Sequence, residues 1–176
     1  MHILMISDIM PYPPISGATL RNYNLLRRLA QQHEVSVVAF AKTEADYEAQ
    51  SQLSSFCKHV VAVEKHDHHA MDKPGEFFSY LLGAVPPDLR FYHSDRMVSA
   101  VQELIAQNAF DVVQIENTFM GRYIEHLPPG LQAHTLITLH DIMSIKMDRM
   151  YRLEATLKRR LRLWLYSLML NRWEPR

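Results

Sequence analysis

The fold of this 176-residue chain is decided by residues 2–17, HILMISDIMPYPPISG. An apolar run of strand length comes first, a proline-rich loop follows it, and the loop ends at a glycine. The next segment, 18–32, places one apolar face at helical spacing, at Leu20, Tyr23, Leu26, Leu29 and Ala30. A strand, a loop and a helix in this order predict the first βα unit of a parallel sheet. Ligands of such sheets bind beyond the carboxyl ends of the strands, so this loop is the first place to expect a site.

The rest of the chain alternates between strand and helix in the same way. Further strands are predicted at 34–40, 59–64, 111–116 and 133–139. Helical segments are predicted at 44–55, 76–82, 94–107 and 117–126. Strands separated by helices indicate βαβ crossovers. We therefore expect an α/β fold with a Rossmann-like parallel sheet and helices on both faces, spanning residues 1–147.

Residues 148–176 are predicted to form one long helix that leads towards a C-terminal domain outside this chain. Its apolar residues surround the helix: Leu153, Leu157, Leu161, Trp164, Leu165 and Leu168 on one side, and Leu163, Tyr166, Leu170 and Trp173 on another. A helix of this kind has to be buried on both sides. We therefore expect a second domain, a partner chain or a membrane surface to cover it.

Basic residues flank this apolar helix, as on helices that lie in an anionic interface: Lys158, Arg159, Arg160, Arg162 and Arg172. A solvated basic face at the end of a core helix is the alternative interpretation. Peripheral contact with a membrane and a dimer through residues 161–173 are thus both open expectations.

Composition excludes several classes of protein. The chain has 19 basic and 19 acidic residues, so it lacks the overall positive charge of a nucleic-acid binder. Its one cysteine, Cys57, forms no internal disulfide and is expected to be a buried, inert thiol. No signal peptide and no apolar run of about 18 residues is present, which predicts a cytoplasmic protein, in contact at most with the inner face of the membrane.

The motifs at the start of the chain resemble those of one enzyme family. PYPPISG at 11–17 is followed by Arg21, by YNLLRRLA at 23–30 and by HEV at 33–35. This run is similar to the opening of the retaining GT-B glycosyltransferases of family 4. The similarity is specific over 1–40 and patchy afterwards, where DVVQIE at 111–116 and LITLHD at 136–141 are further matches.

The resemblance implies the acceptor-side domain, one half of a GT-B fold. The whole enzyme would transfer a sugar, with retention, from a nucleotide-sugar donor to a sugar or lipid-linked hydroxyl acceptor, in polysaccharide or glycolipid assembly. The donor pocket of such enzymes lies mostly in the C-terminal half, whose E-x7-E pattern this chain lacks. The chain alone is therefore expected to be inactive, and neither a cofactor nor a metal is expected.

Six residues are candidate site residues. By resemblance, His140 is the catalytic histidine that meets the transferring sugar or the acceptor hydroxyl. Five others are expected to bind substrate, namely Gly17, Arg21, Glu116, Asn117 and Asp141. A glycine at a loop-to-helix junction lets backbone N–H groups approach an anion, and an arginine one turn later suits a phosphate or a carboxylate. A turn glycine, a surface arginine and a structural histidine remain the simpler interpretations.

Other sites receive less support from the sequence. The five glycines form neither G-x-G-x-x-G nor a P-loop, so a dinucleotide enzyme or an NTPase is not indicated. The cluster KHDHH at 65–69 is interpreted as a solvated loop rather than a metal site. The alternative function is a non-catalytic, flavodoxin-like interaction domain that dimerises through its last helix.

Overall fold

A computed structural model of the chain describes residues 1–65, 92–139 and 142–173, with side chains up to residue 171. These residues fall into two compact units. The first is a sheet with its helices, built from 1–65 and 92–139, and the second contains the helices of 142–173. The helix predicted at 76–82 and most of the cluster at 65–69 lie outside the described residues.

Five parallel strands form one sheet in the order β3-β2-β1-β4-β5. The strands are β1 (His2–Ser7), β2 (Glu34–Ala41), β3 (His59–Glu64), β4 (Val112–Glu116) and β5 (Thr135–Thr138). The helices of this unit are α1 (Gly17–Leu29), α2 (Glu44–Leu53), α3 (Asp95–Gln107) and α4 (Pro129–Gln132), with a 3-10 helix at Thr118–His126. The predicted α/β class with an all-parallel, Rossmann-like sheet is confirmed.

Both faces of the sheet are covered by helices, as predicted. Side chains alternate along a strand, so successive residues of β1 enter different cores. Ile3 and Met5 pack in the core that contains α1 and α2, whereas Leu4 and Ile6 pack in the core that contains α3 and the 3-10 helix. Cys57 is buried in the first of these cores, where desolvation raises the pKa of its thiol to about 12. The thiol is therefore protonated and unreactive, as expected.

Helix α1 begins one residue earlier than predicted because Ser16 caps it. The Ser16 hydroxyl accepts a hydrogen bond from the backbone N–H of Thr19 at 3.2 Å. In return, the Thr19 hydroxyl accepts one from the backbone N–H of Ser16 at 2.9 Å. This reciprocal capping box stabilises the first turn and fixes where the proline-rich loop ends.

The edge strand β5 is shorter than the predicted 133–139. Ala133 ends α4, and the backbone N–H of His134 bonds to the carbonyl of Leu131 at 3.0 Å. The residues before Thr135 therefore belong to the last turn of the helix. Leu136 and Leu139 are more than half exposed at this edge.

The prediction of one helix from residue 148 to the end is wrong for the described residues. The second unit contains α5 (Met143–Leu153) and α6 (Leu157–Trp173), so the predicted boundary at 147 falls inside a helix. Glu154 has an extended backbone, and its carboxylate accepts a hydrogen bond from the N–H of Thr156 at 2.9 Å. A side-chain bond of this kind replaces a helical one and breaks the helix between 153 and 157. Among the described residues, no helix combines the length and apolar content that crossing a bilayer requires.

Candidate site at the carboxyl edge of the sheet

The strand order creates a switch point between β1 and β4. From β1 the sheet continues to β2 and β3 on one side, and to β4 and β5 on the other. The connections after β1 and β4 therefore leave the sheet in opposite directions, which opens a crevice at the carboxyl ends of these two strands. Asp8 follows β1 and Asn117 follows β4, so both residues lie at this crevice.

The loop after β1 is held by local contacts. The Ser7 hydroxyl donates a hydrogen bond to the carbonyl of Ile9 at 2.7 Å, and the N–H of Ile15 bonds to the carbonyl of Pro13 at 2.9 Å. Met10 is buried at 1% exposure, which anchors the loop in the core. These contacts deliver the chain to Ser16 and place the first turn of α1 at the crevice.

Gly17, the first residue of α1, has no structural reason to be glycine. Its backbone does not adopt a positive φ, and a Cβ added there would meet no atom within 4 Å. The backbone conformation at Gly17 is therefore one that other residues can adopt as well. The space in front of its backbone is open, which is the property that ligand approach requires.

Arg21 and Glu116 form an ion pair across the crevice, although 95 positions separate them in sequence. The Arg21 Nη1 donates to Glu116 Oε2 at 2.7 Å and to Asn22 Oδ1 at 3.0 Å. Arg21 is 43% exposed in its side chain, whereas Glu116 is completely buried. The guanidinium therefore presents one side to solvent while its other side is fixed by a carboxylate.

Two further polar side chains hold the second oxygen of Glu116. The Gln114 amide donates to Glu116 Oε1 at 2.9 Å and to the Thr138 hydroxyl at 2.7 Å. The Thr138 hydroxyl lies 3.3 Å from Glu116 Oε1, and Arg21 Nη2 lies 3.5 Å from the same hydroxyl. This arrangement follows from the parallel register, in which Glu116 of β4 pairs with Thr138 of β5. We call Arg21, Asn22, Gln114, Glu116 and Thr138 the edge network.

Asn117 connects the two loops of the crevice and adopts an unusual backbone conformation. Its Nδ2 donates to Asp8 Oδ2 at 2.7 Å, and its Oδ1 accepts from the N–H of Phe119 at 3.2 Å. Its φ of 82° and ψ of 135° lie in a region that residues other than glycine seldom occupy. Strain of this kind concentrates at functional sites, where the surrounding contacts hold it in place.

Sequence reasoning missed Asn22, Gln114 and Thr138. Asn22 is completely buried, and its Nδ2 has no hydrogen-bond partner among the described residues. The sequence did indicate this position, because Asn22 lies one turn before Leu26 on the buried face of the predicted helix. In β4 the signal was the polar Gln114 two residues before Glu116, because both side chains point to the same face of the sheet.

The structure brings three of the six predicted site residues to one crevice: Arg21 and Glu116 directly, and Asn117 through Asp8. Gly17 begins the helix that carries Arg21. His140 and Asp141 lie outside the described residues, so their roles stay predictions. They follow Thr138 closely in sequence, and Thr138 belongs to the edge network.

The charges of the edge network favour a neutral ligand. The cation of Arg21 is already balanced by Glu116, and Asp8 adds a carboxylate beside Asn117. A phosphate would find little net positive charge here, whereas a sugar hydroxyl could accept a hydrogen bond from the exposed side of the Arg21 guanidinium. Within 1–65, 92–139 and 142–173, no group of three or more His, Cys, Asp or Glu side chains could hold a metal ion.

An open depression of about 520 Å³ lies at the opposite, amino end of the sheet, where Met1, His2, His33, Glu34 and Asp111 contribute to its wall. Most of these residues have partners: Asp111 accepts a bond from the His2 backbone N–H at 2.7 Å, and Glu34 pairs with Lys58 at 2.7 Å. The His33 Nδ1 is the exception, since it is buried without a partner among the described residues. Position and chemistry both favour the carboxyl edge as the functional site, because parallel sheets bind their ligands there.

Comparison of the chain with protein-family models, with curated proteins and with solved structures found no match. A functional conclusion therefore rests on the chain's own residues.

Proposed function

We propose that this chain is the acceptor-side domain of a retaining glycosyltransferase that transfers a sugar from a nucleotide-sugar donor to a hydroxyl group. The observation that supports this most strongly is the edge network at the switch point of the sheet. It offers a half-exposed guanidinium on a nearly neutral background, which suits a polyhydroxylated acceptor. The proline-rich loop that ends at the capped helix α1 is the part of the chain that resembles the family.

Arg21 is the acceptor-binding residue of this proposal. Its guanidinium has five N–H donors in a rigid fork, and those that do not face Glu116, Asn22 or Thr138 are available to hydroxyl oxygens. Glu116 is fully buried and bonded through both oxygens, so it acts through Arg21 as a positioning residue. The guanidinium N–H groups that would bond to the acceptor are thus fixed in direction before binding. This lowers the entropy lost when the acceptor binds.

The first turn of α1 would face the donor. The first N–H groups of a helix lack partners within the helix and carry a partial positive charge. Because an added Cβ at Gly17 meets no atom of the described residues within 4 Å, the diphosphate of a sugar nucleotide could approach this end and have its developing charge stabilised without a metal ion. His140 would contact the transferring sugar, as the resemblance implies. Most of the donor pocket would be supplied by a second domain.

The test is sugar transfer from a panel of UDP- and GDP-sugars, measured with the natural gene product and with this 176-residue chain. We expect transfer or donor hydrolysis by the gene product and little by this chain. His140→Ala should abolish the activity. A gene product that is inert with every donor, or that ends where this chain ends and forms a tight dimer, would favour the flavodoxin-like interaction domain.

Variants of α1 separate acceptor binding from folding. Arg21→Lys keeps the charge opposite Glu116 but loses the fork, so we expect the KM for the acceptor to rise about tenfold with kcat less affected. Arg27→Lys, in the last turn of the same helix, is the matched control and should change neither constant. An unchanged acceptor KM in Arg21→Lys would remove Arg21 from the binding site.

A further inference from the structure

An exposed apolar stripe runs along α6, in the second compact unit. It consists of Leu157, Leu161, Trp164 and Leu168, whose exposed fractions are 81%, 56%, 43% and 44%. At 100° per residue these four positions lie within an arc of about 60°, and they extend over about 17 Å of helix. The other side of the helix is covered, since Ser167 and Leu170 are buried. The stripe is therefore a surface feature and contributes nothing to the core.

Basic residues flank the stripe on both sides: at 100° per residue, Arg160 lies on one side of it and Lys158 and Arg172 lie on the other. Helix α6 contains the basic residues Lys158, Arg159, Arg160, Arg162 and Arg172 and no acidic residue. Between 142 and 173 the sequence has eight basic and two acidic residues, whereas the whole chain has 19 of each. The chain has no net charge as a whole, but this segment of it is strongly basic.

The position of these charges disfavours an isolated helix. Lys158, Arg159 and Arg160 occupy the first turn of α6, where the helix dipole is positive and acidic residues are favourable. Lys158 and Arg162 are also a like-charged pair at i and i+4. These basic residues destabilise the helix that contains them, which indicates that they serve an interaction with something outside the helix.

Helix α5 shows the same combination on its exposed residues. Ile142, Ile145 and Met150 are each about half exposed, and Lys146 and Arg149 are interspersed among them. Leu153, at the end of α5, is 86% exposed. Arg160 lies with its guanidinium 5.0 Å from the centre of the Tyr151 ring, which joins the start of α6 to α5. The apolar and basic character is therefore a property of the helix pair.

We propose that α6 binds the surface of an anionic lipid bilayer, with the leucines and Trp164 in the interface and the basic residues on the lipid headgroups. A flat bilayer accepts a convex helix without a complementary groove, and an apolar stripe with flanking cations suits an anionic interface. A second copy of α6 is disfavoured because it would bring the cations that flank its stripe against those that flank the first. This proposal does not depend on the proposed enzymatic function.

The experiment is co-sedimentation of the full 176-residue chain with vesicles of phosphatidylcholine alone and with vesicles that contain 30% phosphatidylglycerol, at low salt. We expect binding to the phosphatidylglycerol vesicles and at least tenfold weaker binding to the neutral ones. Half-molar salt should reverse most of the vesicle binding, because salt shortens the Debye length over which the charges attract the headgroups. Absent binding, or equal binding to both vesicles, would overturn the proposal.

Charge variants test the basic residues with a matched control. Lys158→Gln with Arg160→Gln, at positions on the two sides of the stripe, should weaken vesicle binding about fivefold for each charge removed. Arg27→Gln with Arg28→Gln removes two exposed charges from α1 and should leave binding unchanged. The thermal midpoint of the Lys158 and Arg160 variant should change little, since the removal of two charges that oppose the helix dipole offsets the lost contact between Arg160 and Tyr151. Equal weakening by both pairs would mean that only net charge matters and would contradict the assignment to α6.

Apolar variants test the stripe and exclude the dimer. Leu157→Ser with Leu161→Ser should weaken vesicle binding about tenfold for each leucine, whereas Leu20→Ser, on an exposed position of α1, should not. In a Trp173→Phe background, the fluorescence of Trp164 should shift to the blue on binding. Light scattering should show a monomer before and after the leucine substitutions. If the chain does not bind vesicles and forms a dimer that these substitutions dissociate, the stripe is the contact surface for a second copy of the chain.

Discussion

The two ends of β1 have opposite characters. At the amino end, His2 is buried and has partners for both ring nitrogens: the Ala109 carbonyl at 3.1 Å and the Ser36 hydroxyl at 2.9 Å. Its ring packs on Phe110 with a centroid separation of 4.1 Å. The chain itself supplies every partner that this histidine needs.

At the carboxyl end, the polar groups are satisfied only in part. Arg21 is bonded on one side and exposed on the other, and the buried Nδ2 of Asn22 has no partner among the described residues. Asn117 holds a strained backbone next to Asp8, and Gly17 leaves open space before its backbone. The difference separates a buried histidine whose two ring nitrogens both bond within the chain from an arginine and an asparagine whose side chains are bonded only in part. Substitutions at the amino end should therefore act on stability, and those at the carboxyl end should cost less stability and act on binding as well.

The largest loss of stability is expected at the amino end. His2→Ala removes a buried ring and two hydrogen bonds, which should lower the free energy of unfolding by about 3 kcal/mol. Urea denaturation measures this loss, and ligand binding at the carboxyl edge should persist in the folded fraction. The control is His59→Ala, a half-buried histidine with one side-chain bond to Asn108, which should cost about 1 kcal/mol. A loss below 1 kcal/mol in His2→Ala would show that the amino end is not the structural one.

A smaller loss is expected at Asn117. Asn117→Ala removes the bonds to Asp8 and Phe119 and keeps the unfavourable φ, so it should cost about 2 kcal/mol. Asn117→Gly loses the same bonds but relieves the strain, and it should cost about 1 kcal/mol less than alanine. Chemical denaturation of the two variants measures which of them is the more stable. A glycine variant that is less stable than the alanine variant would show that the backbone is not strained.

The stability should also depend on pH through His2. Burial lowers the pKa of this ring, and Lys58 lowers it further, while Glu34 and the Ala109 carbonyl act in the opposite direction. Since the folded pKa lies below the unfolded one of about 6.5, the unfolded chain binds the proton first as the pH falls. The contribution of His2 is complete above pH of about 6.5 and is lost as the pH falls through the folded value.

The measurement is the free energy of unfolding between pH 5 and 8 for the wild type and for His2→Gln. His59 also faces His2, with ring centres 6.4 Å apart, and it is present in both proteins. The difference between the two curves therefore isolates His2. A wild type that gains stability relative to His2→Gln on acidification would reverse the sign and contradict this explanation.

The smallest effect on stability is expected at Gly17, where binding should change instead. A Cβ there meets nothing and alanine suits a helix better, so Gly17→Ala should change the free energy of unfolding by less than about 1 kcal/mol, towards greater stability. Affinity for UDP- and GDP-sugars in the natural gene product should fall. Gly130→Ala, at a second glycine whose added Cβ meets nothing, is the control and should not change it. Unchanged affinity in Gly17→Ala would move the donor away from this helix.

The fold could be predicted from the sequence because its signals are local. The buried strands β1 and β2 are continuous apolar runs, and the loop after β1 has prolines and a glycine that end one element and start the next. The break between α5 and α6 could not be predicted, because a side-chain bond of Glu154 interrupts a pattern that is helical on both sides. The late start of β5 depended in the same way on how α4 ends.

By itself, the sequence determined the parallel α/β architecture, the position of the loop after β1 and the basic, apolar character of the last helix. Each of these follows from periodicity and composition within about twenty residues. Only the tertiary structure decided that Arg21 is neutralised by Glu116 and that Thr138 and Gln114 hold the same carboxylate. These residues are separated by up to 117 positions in the chain, and they meet because parallel strands bring their carboxyl ends to one edge of the sheet.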